Sequence, residues 1–215
     1  MRVDEVALEL AAEQLAALDG SGAEKQHIAV LGSASLALTP NLNNEVFARI
    51  SEEGCEAVPS SLATQAVHNT LVEAGLVSGE QAAKLSAFAE CTMTAQEHAF
   101  KRMGELGVGY APALSYLQLE RVAHRQGIDT GVNAGAGWCT QASMLSLADA
   151  GYHNVLFSQT FTCLSSHVAG SGVFKEVRAY DAHANLSSVE YDIGISHVNQ
   201  INRIKLLTSL AKARG

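Results

Sequence analysis

His27-Ile-Ala-Val-Leu-Gly32 is a short apolar run closed by a glycine. Such a run suits a parallel strand buried on both faces. A helix is expected after it, capped by Thr39 or Asn41 with Pro40 near its start. That helix would bury Val46, Phe47 and Ile50 and stop at Gly54. Glu56-Ala-Val-Pro59 then reads as a second strand, and Ser60 or Ser61 as the cap of the next helix. Strand, helix and strand within about 35 residues make a βαβ unit.

Toward the C-terminus the alternation resumes. A second α/β portion opens at Thr130-Gly-Val-Asn133, followed by the glycine-rich turn Gly135-Ala-Gly137-Trp138. A helix is expected over 140–150, a strand at His153-Asn-Val-Leu-Phe-Ser158, a helix over about 164–178 and a strand at Ser188-Val-Glu-Tyr-Asp192. The last helix should run from 196 to about 212, burying Val198, Ile201, Ile204 and Leu207. Alternating strands and helices predict an α/β fold with a mainly parallel, doubly wound sheet of Rossmann or flavodoxin-like type.

Between the two portions, residues 62–106 and 112–126 read as helical, so a helical segment of about 62–128 is expected as an insertion. Ahead of the sheet, Val6, Leu8, Leu10, Leu15 and Leu18 suggest a helix over 3–18, broken by Asp19-Gly20-Ser21-Gly22. The expected organisation is an N-terminal helix and linker over 1–26 and an α/β domain over 27–215.

Apolar residues make up 47% of the chain and charged residues only 17%, so much of the surface is neutral or covered by a partner. A formal charge of −8 and no basic stripe argue against nucleic-acid binding. No apolar run is long enough to span a membrane. The N-terminus carries Asp4, Glu5, Glu9 and Glu13, the wrong pattern for a secretory signal, which makes a cytoplasmic location the expectation. The four cysteines, Cys55, Cys91, Cys139 and Cys163, include no CxxC pair. That disfavours a structural zinc site and a disulfide scaffold. Cys55 and Cys91 read as small buried apolar residues.

Ligands of open parallel sheets bind beyond the carboxyl ends of the strands. Segments 32–44, 160–172 and 192–202 leave strands at that edge, and 135–140 is expected to join them. The most informative stretch is Thr160-Phe-Thr-Cys163-Leu-Ser-Ser-His167-Val-Ala-Gly170-Ser-Gly172. A cysteine at a helix start feels the positive end of the helix dipole, which favours thiolate. His167 follows one turn later, so Cys163 and His167 are candidates for a nucleophile and its base. The bland alternative is a packed cysteine with a histidine bound to backbone. Cys139 and Cys163 together with His167 form a weaker metal candidate, one ligand short of a closed zinc site. Asp192 ends a strand, and Asn199, Asn202 and Arg203 share one face of the last helix. They either tie down neighbouring loops or contact a polar ligand or partner.

These stretches carry a resemblance. From Gly137-Trp138 to Lys205 the chain resembles the C-terminal region of the CoA-substrate-specific enzyme activases, in the 2-hydroxyacyl-CoA dehydratase-like superfamily of anaerobic bacteria. Phe161-Thr-Cys163-Leu-Ser-Ser-His167-Val-Ala-Gly170-Ser-Gly172 is similar to that family's Cys-Leu-Pro-Asn-His…Gly-Lys-Gly segment. Tyr191-Asp192-Ile-Gly194…Val198-Asn199-Gln200-Ile-Asn202-Arg203-Ile-Lys205-Leu206 resembles its closing helix. Pro40-Asn-Leu-Asn43-Asn44 with Glu56-Ala-Val58 resembles an upstream part more loosely. Where the family has Pro and Asn before the histidine, this chain has Ser165 and Ser166. It also has Ala136, Ile193 and His197 where an acidic residue, a proline and a glutamate are usual.

The resemblance implies a role in ATP-driven, low-potential electron delivery to a dehydratase, with Cys163 as the family cysteine and a candidate ligand of a 4Fe-4S cluster. From their place at the sheet edge and on the last helix, Trp138, Asp192, Asn199, Asn202 and Arg203 are ligand-binding candidates. ASKHA-type phosphate loops are missing from the sequence, and an all-thiolate cluster needs about four cysteines. The expectation is therefore an accessory domain that works through another chain or domain, or as a homodimer, and is not catalytic alone. The alternative is a small ligand-binding protein or enzyme using Cys163 and His167 at the sheet edge.

Overall fold

The structure is a computed structural model and describes residues 25–105, 115–135 and 137–214. The helix expected over 3–18 lies outside them. The chain divides into two compact units, 1–24 with 62–117 and 25–61 with 118–215.

The larger unit is an α/β fold. Four strands, β1 (His27–Gly32), β2 (Glu56–Pro59), β3 (Asn154–Thr160) and β4 (Asn185–Tyr191), form one sheet in the order β2-β1-β3-β4. Every pairing is parallel, with Ala29 opposite Val58, Leu31 opposite Phe157 and Ser158 opposite Val189. The order reverses between β1 and β3, as in flavodoxin-like sheets, and that switch point opens a crevice at the strands' carboxyl ends.

Helices cover both faces. On one face Ile28, Val30, Leu156, Val189 and Tyr191 form a core with residues of α1 (Ala34–Leu38), α2 (Val46–Glu52) and α9 (His197–Arg214). Ile28, Val30 and Leu156 are fully buried, each contributing about 1.5–3 kcal/mol of apolar burial. The other face carries α6 (Gly137–Asp149), α7 (Leu164–Ala169) and α8 (Phe174–Tyr180), with α7 packed on β3 and α6 on α7 and α8. At the amino ends of the strands, the buried Asn185 amide donates to Asn154 Oδ1 at 2.9 Å and to the Leu207 carbonyl at 3.0 Å.

Both sheet edges are closed to further pairing. On β4 the outward carbonyls of Leu186, Ser188 and Glu190 accept from Arg178 (3.0 Å), Arg203 (3.0 Å) and Gln200 (2.8 Å). At the other edge β2 has four residues, begins with Glu56 and ends in Pro59. Short, charged or capped edges prevent strand addition.

The smaller unit contains α3 (Leu62–Leu76), α4 (Gly79–Glu105) and the start of α5 (Tyr116–Gln126). α3 packs on α4. The buried Gln96 amide donates to Thr64 Oγ1 at 2.7 Å and accepts the Tyr116 N–H at 3.3 Å. Of the helical segment expected over 62–128, residues 118–126 belong with the sheet unit.

Several local expectations need correction. Neither Thr39 nor Asn41 caps the helix carrying Val46 and Ile50. The N-cap position is Glu45, which makes no side-chain cap bond; the Val46 N–H is instead taken by Asn43 Oδ1 at 3.2 Å, and the Asn43 amide ties the carbonyls of Leu36 and Ala37. The expected single helix over 164–178 is broken at Gly170, where an added Cβ would lie 2.1 Å from the Phe157 ring. β4 begins three residues before the expected Ser188. On α9 the expected stripe member Val198 is 65% exposed, while Gln200, Ile204, Leu207, Thr208 and Ala211 are buried. The buried face is thus partly polar, which hides it from a purely apolar periodicity.

Candidate functional site

β3 ends at Thr160 and turns sharply into α7. The Cys163 N–H donates to the Thr160 carbonyl at 3.2 Å, and Thr162 in this turn has φ +60°. A β-branched residue at positive φ is strained by about 1–3 kcal/mol, and such strain gathers at functional sites. Cys163 is the N-cap residue of α7 and is partly exposed. Its sulfur meets Ser165 Oγ at 3.3 Å and accepts from Ser166 Oγ at 3.2 Å. Those hydroxyls, Ser165 first and Ser166 second, lower the thiol to about 7 from its ordinary 9.0. The two serine hydroxyls act first, and the backbone N–H groups of Ser166 and Ser165 in the first turn of the helix lower it further, in the direction expected for a cysteine at a helix start.

His167 lies one turn along α7, and its backbone N–H donates to the Cys163 carbonyl at 3.0 Å, but its imidazole is engaged away from the sulfur. Its Nδ1 lies 3.2 Å from Gln159 Nε2, and its Nε2 lies 3.5 Å from Glu190 Oε1. Gln159 Nε2 also donates to Glu190 Oε1 at 3.1 Å. With the cysteine bonded to serines and both ring nitrogens engaged elsewhere, the two do not form a nucleophile and an oriented base. The histidine instead fastens α7 to β3 and β4. Gln159 is buried, and its Oε1 has no hydrogen-bond partner.

The turns named from sequence reach this rim. Cys163 follows the carboxyl end of β3, and Asp192 follows that of the adjacent β4. A Cβ at Gly135 would lie 3.0 Å from Ser165 Oγ, which puts the turn before α6 against the Cys163 segment. Trp138 and Cys139, in the first turn of α6, are buried. Burial, then the nearby Glu120 charge, pushes the Cys139 thiol up to about 12. Among the described residues no three His, Cys, Asp or Glu side chains converge as a metal site. Asp192 is exposed and accepts the Ile193 N–H at 2.7 Å. Asn199 and Asn202 are exposed on α9, while Arg203 is engaged on the edge of β4.

Two features of the rim escaped sequence reasoning. Leu42, Phe161, Leu164, Val168 and Ile193 are 44–104% exposed there. Residues 28–44, 155–174 and 193–202 contain no Lys, Arg, Asp or Glu. A run-by-run charge count would have found the second feature, whereas the first needed the fold. Beside this apolar crown a cleft of about 420 Å³ opens above β1, β3 and β4. Tyr191 forms part of its wall. Burial raises the Tyr191 phenol to about 12, opposed by the neighbouring Ser158 hydroxyl and by Arg49. Neither that phenol nor Ser158 Oγ makes a hydrogen bond of good geometry.

Fold and site together define a doubly wound α/β protein with a partly exposed cysteine at the rim of its sheet. No family model, curated protein or solved structure matches the chain. No helix among the described residues is long and apolar enough to cross a membrane.

Proposed function

We propose that this chain is a partner-dependent domain of a 2-hydroxyacyl-CoA dehydratase/activase-like system, docking by its rim onto the component that carries the iron–sulfur cluster. The observation that carries this reading is the group of exposed apolar side chains, poor in charge, at the rim that holds the partly exposed Cys163. Charge depletion and exposed large apolar side chains characterise the centre of a protein interface. A complete four-thiolate cluster does not fit this chain alone, because no three ligating side chains converge among the described residues. Cys163 offers a single thiolate to the partner. The residue resemblance around Cys163 and along α9 supplies the class of partner.

The test is native purification under anaerobic conditions followed by iron and sulfide analysis. Co-purification with an iron-containing protein is expected, and Leu164→Asp should abolish it without changing the far-ultraviolet dichroism. Leu164 is 77% exposed, so this variant leaves the core untouched. A chain recovered without a partner, or association unaffected by Leu164→Asp, overturns the reading.

A second reading has its own support. A thiol lowered to about 7 is a competent nucleophile at neutral pH without a base, so the chain alone would react through Cys163 with small electrophiles. Under this reading His167 positions α7.

A further inference from the structure

We infer that the cleft beside Cys163 is a binding site for an uncharged, hydroxylated small molecule with an apolar face, of sugar-to-nucleoside size. The cleft lies at the switch point of the sheet, where the segments after β1, β3 and β4 meet. Its volume of about 420 Å³ falls within the range of small-molecule sites.

The lining sets the chemical class. Ser33, Ser35, Asn41, Asn44 and Thr160 supply hydroxyl and amide groups, and Asp192 supplies the one carboxylate. No lysine or arginine is among the walls. Arg49, whose charge reaches Tyr191, donates through Nε to the Asn44 carbonyl at 2.8 Å and does not line the cleft. A phosphate or carboxylate would therefore meet a carboxylate without a paired cation, which disfavours anions. A carboxylate accepts well from paired hydroxyls, and Leu36, Leu42 and Ile193 provide apolar surface for a ring face.

Tyr191 is 4% exposed and contributes to the cleft wall, while its buried hydroxyl lies beside that of Ser158. Two consecutive non-glycine residues in the left-handed region, Asn44 (φ 51°) and Glu45 (φ 58°), hold the lip. Asn44 is anchored there by its amide on Gln200 Oε1 at 2.8 Å.

The experiment is a titration of the full chain, labelled with nitrogen-15, against four probes: adenosine, phenyl β-glucoside, adenosine monophosphate and choline. Either neutral probe at about 10 mM, a concentration that detects even millimolar affinity, should shift the amides of Ser33, Ser35, Asn44 and Asp192. Adenosine monophosphate should bind at least tenfold more weakly than adenosine. Ser35→Trp, which fills the mouth from an exposed position, should abolish the shifts, and Asp192→Asn should weaken them about tenfold. Shifts by neither neutral probe, tighter binding of the monophosphate, or shifts by choline alone overturn the proposal. None of these outcomes depends on an iron-containing partner, so this site and the docking reading fail separately.

Discussion

Ser165 and Ser166 decide what Cys163 can do. Hydrogen bonds from neutral hydroxyls favour the charged sulfur over the neutral thiol, and partial exposure keeps desolvation from reversing the effect. The sign follows directly. The thiol loses its proton as pH rises through about 7, so thiolate reactivity is present above that value and lost below it. Alkylation of Cys163 by iodoacetamide should therefore reach half its limiting rate near pH 7. Replacing both serines by alanine should move the midpoint toward the ordinary 9.0. Labelling at neutral pH should then slow roughly tenfold. Peptide mapping of the alkylated protein checks this, and a midpoint near 9 in the unmodified chain would contradict it. Cys55 and Cys139, both buried with raised thiols, should label far more slowly.

Elements meet in this sheet at distances that only particular residues permit. Gly32 ends β1 with φ +140°, and a Cβ there would sit 2.2 Å from the Ser158 carbonyl oxygen of β3. That contact is backbone and cannot rotate away. Gly32→Ala should destabilise the fold by about 3 kcal/mol or more, through clash and strain together. Gly54, which ends the turn before β2, has φ +76° but nothing within 4 Å of its missing Cβ. Gly54→Ala carries only the strain of a left-handed alanine, about 1 kcal/mol. Urea unfolding of the two variants separates close approach from backbone strain. The capped carbonyls of β4 belong to the same scale. They explain why Arg203 is spent on the edge of the sheet while its neighbours Asn199 and Asn202 remain on the open face of α9.

Across the whole molecule, the buried acids that stay protonated set the alkaline limit. Cys139 and Tyr191 both rise to about 12 in the folded chain, from ordinary values of 9.0 and 10.0. Between those values the unfolded chain releases protons that the folded chain retains. The unfolded state then binds fewer protons, and stability falls as pH rises. Each group contributes up to about 1.4 kcal/mol per pH unit within its window. The urea midpoint should decline above about pH 9. Combining Cys139→Ala with Tyr191→Phe should flatten that decline, and an unchanged slope in the double variant would count against the assignment.

How much was legible varies with the kind of signal. The two central strands β1 and β3 were marked by short apolar runs, because a strand buried on both faces has to be largely apolar, whereas the edge strands β2 and β4 are mixed in composition and are legible through the alternation with helices. Parallel pairing followed from alternation with helices. The turn holding Cys163 was placed at the rim by the same logic. The serines were visible only as departures from a resemblance, since their effect depends on distances to sulfur that no spacing encodes. The split falls at Gly170, where the Phe157 ring of β3 leaves no room for a Cβ, and the polar stripe of α9 came from Gln200 and Thr208 meeting backbone carbonyls. The sequence by itself determined which segments are strands and that the Cys163 and Asp192 turns follow the carboxyl ends of parallel strands, because burial and strand direction are written in local pattern. Only the tertiary structure decided that Cys163 pairs with serines and His167 with Gln159 and Glu190, because side-chain partners are chosen by the packing of segments far apart in the chain.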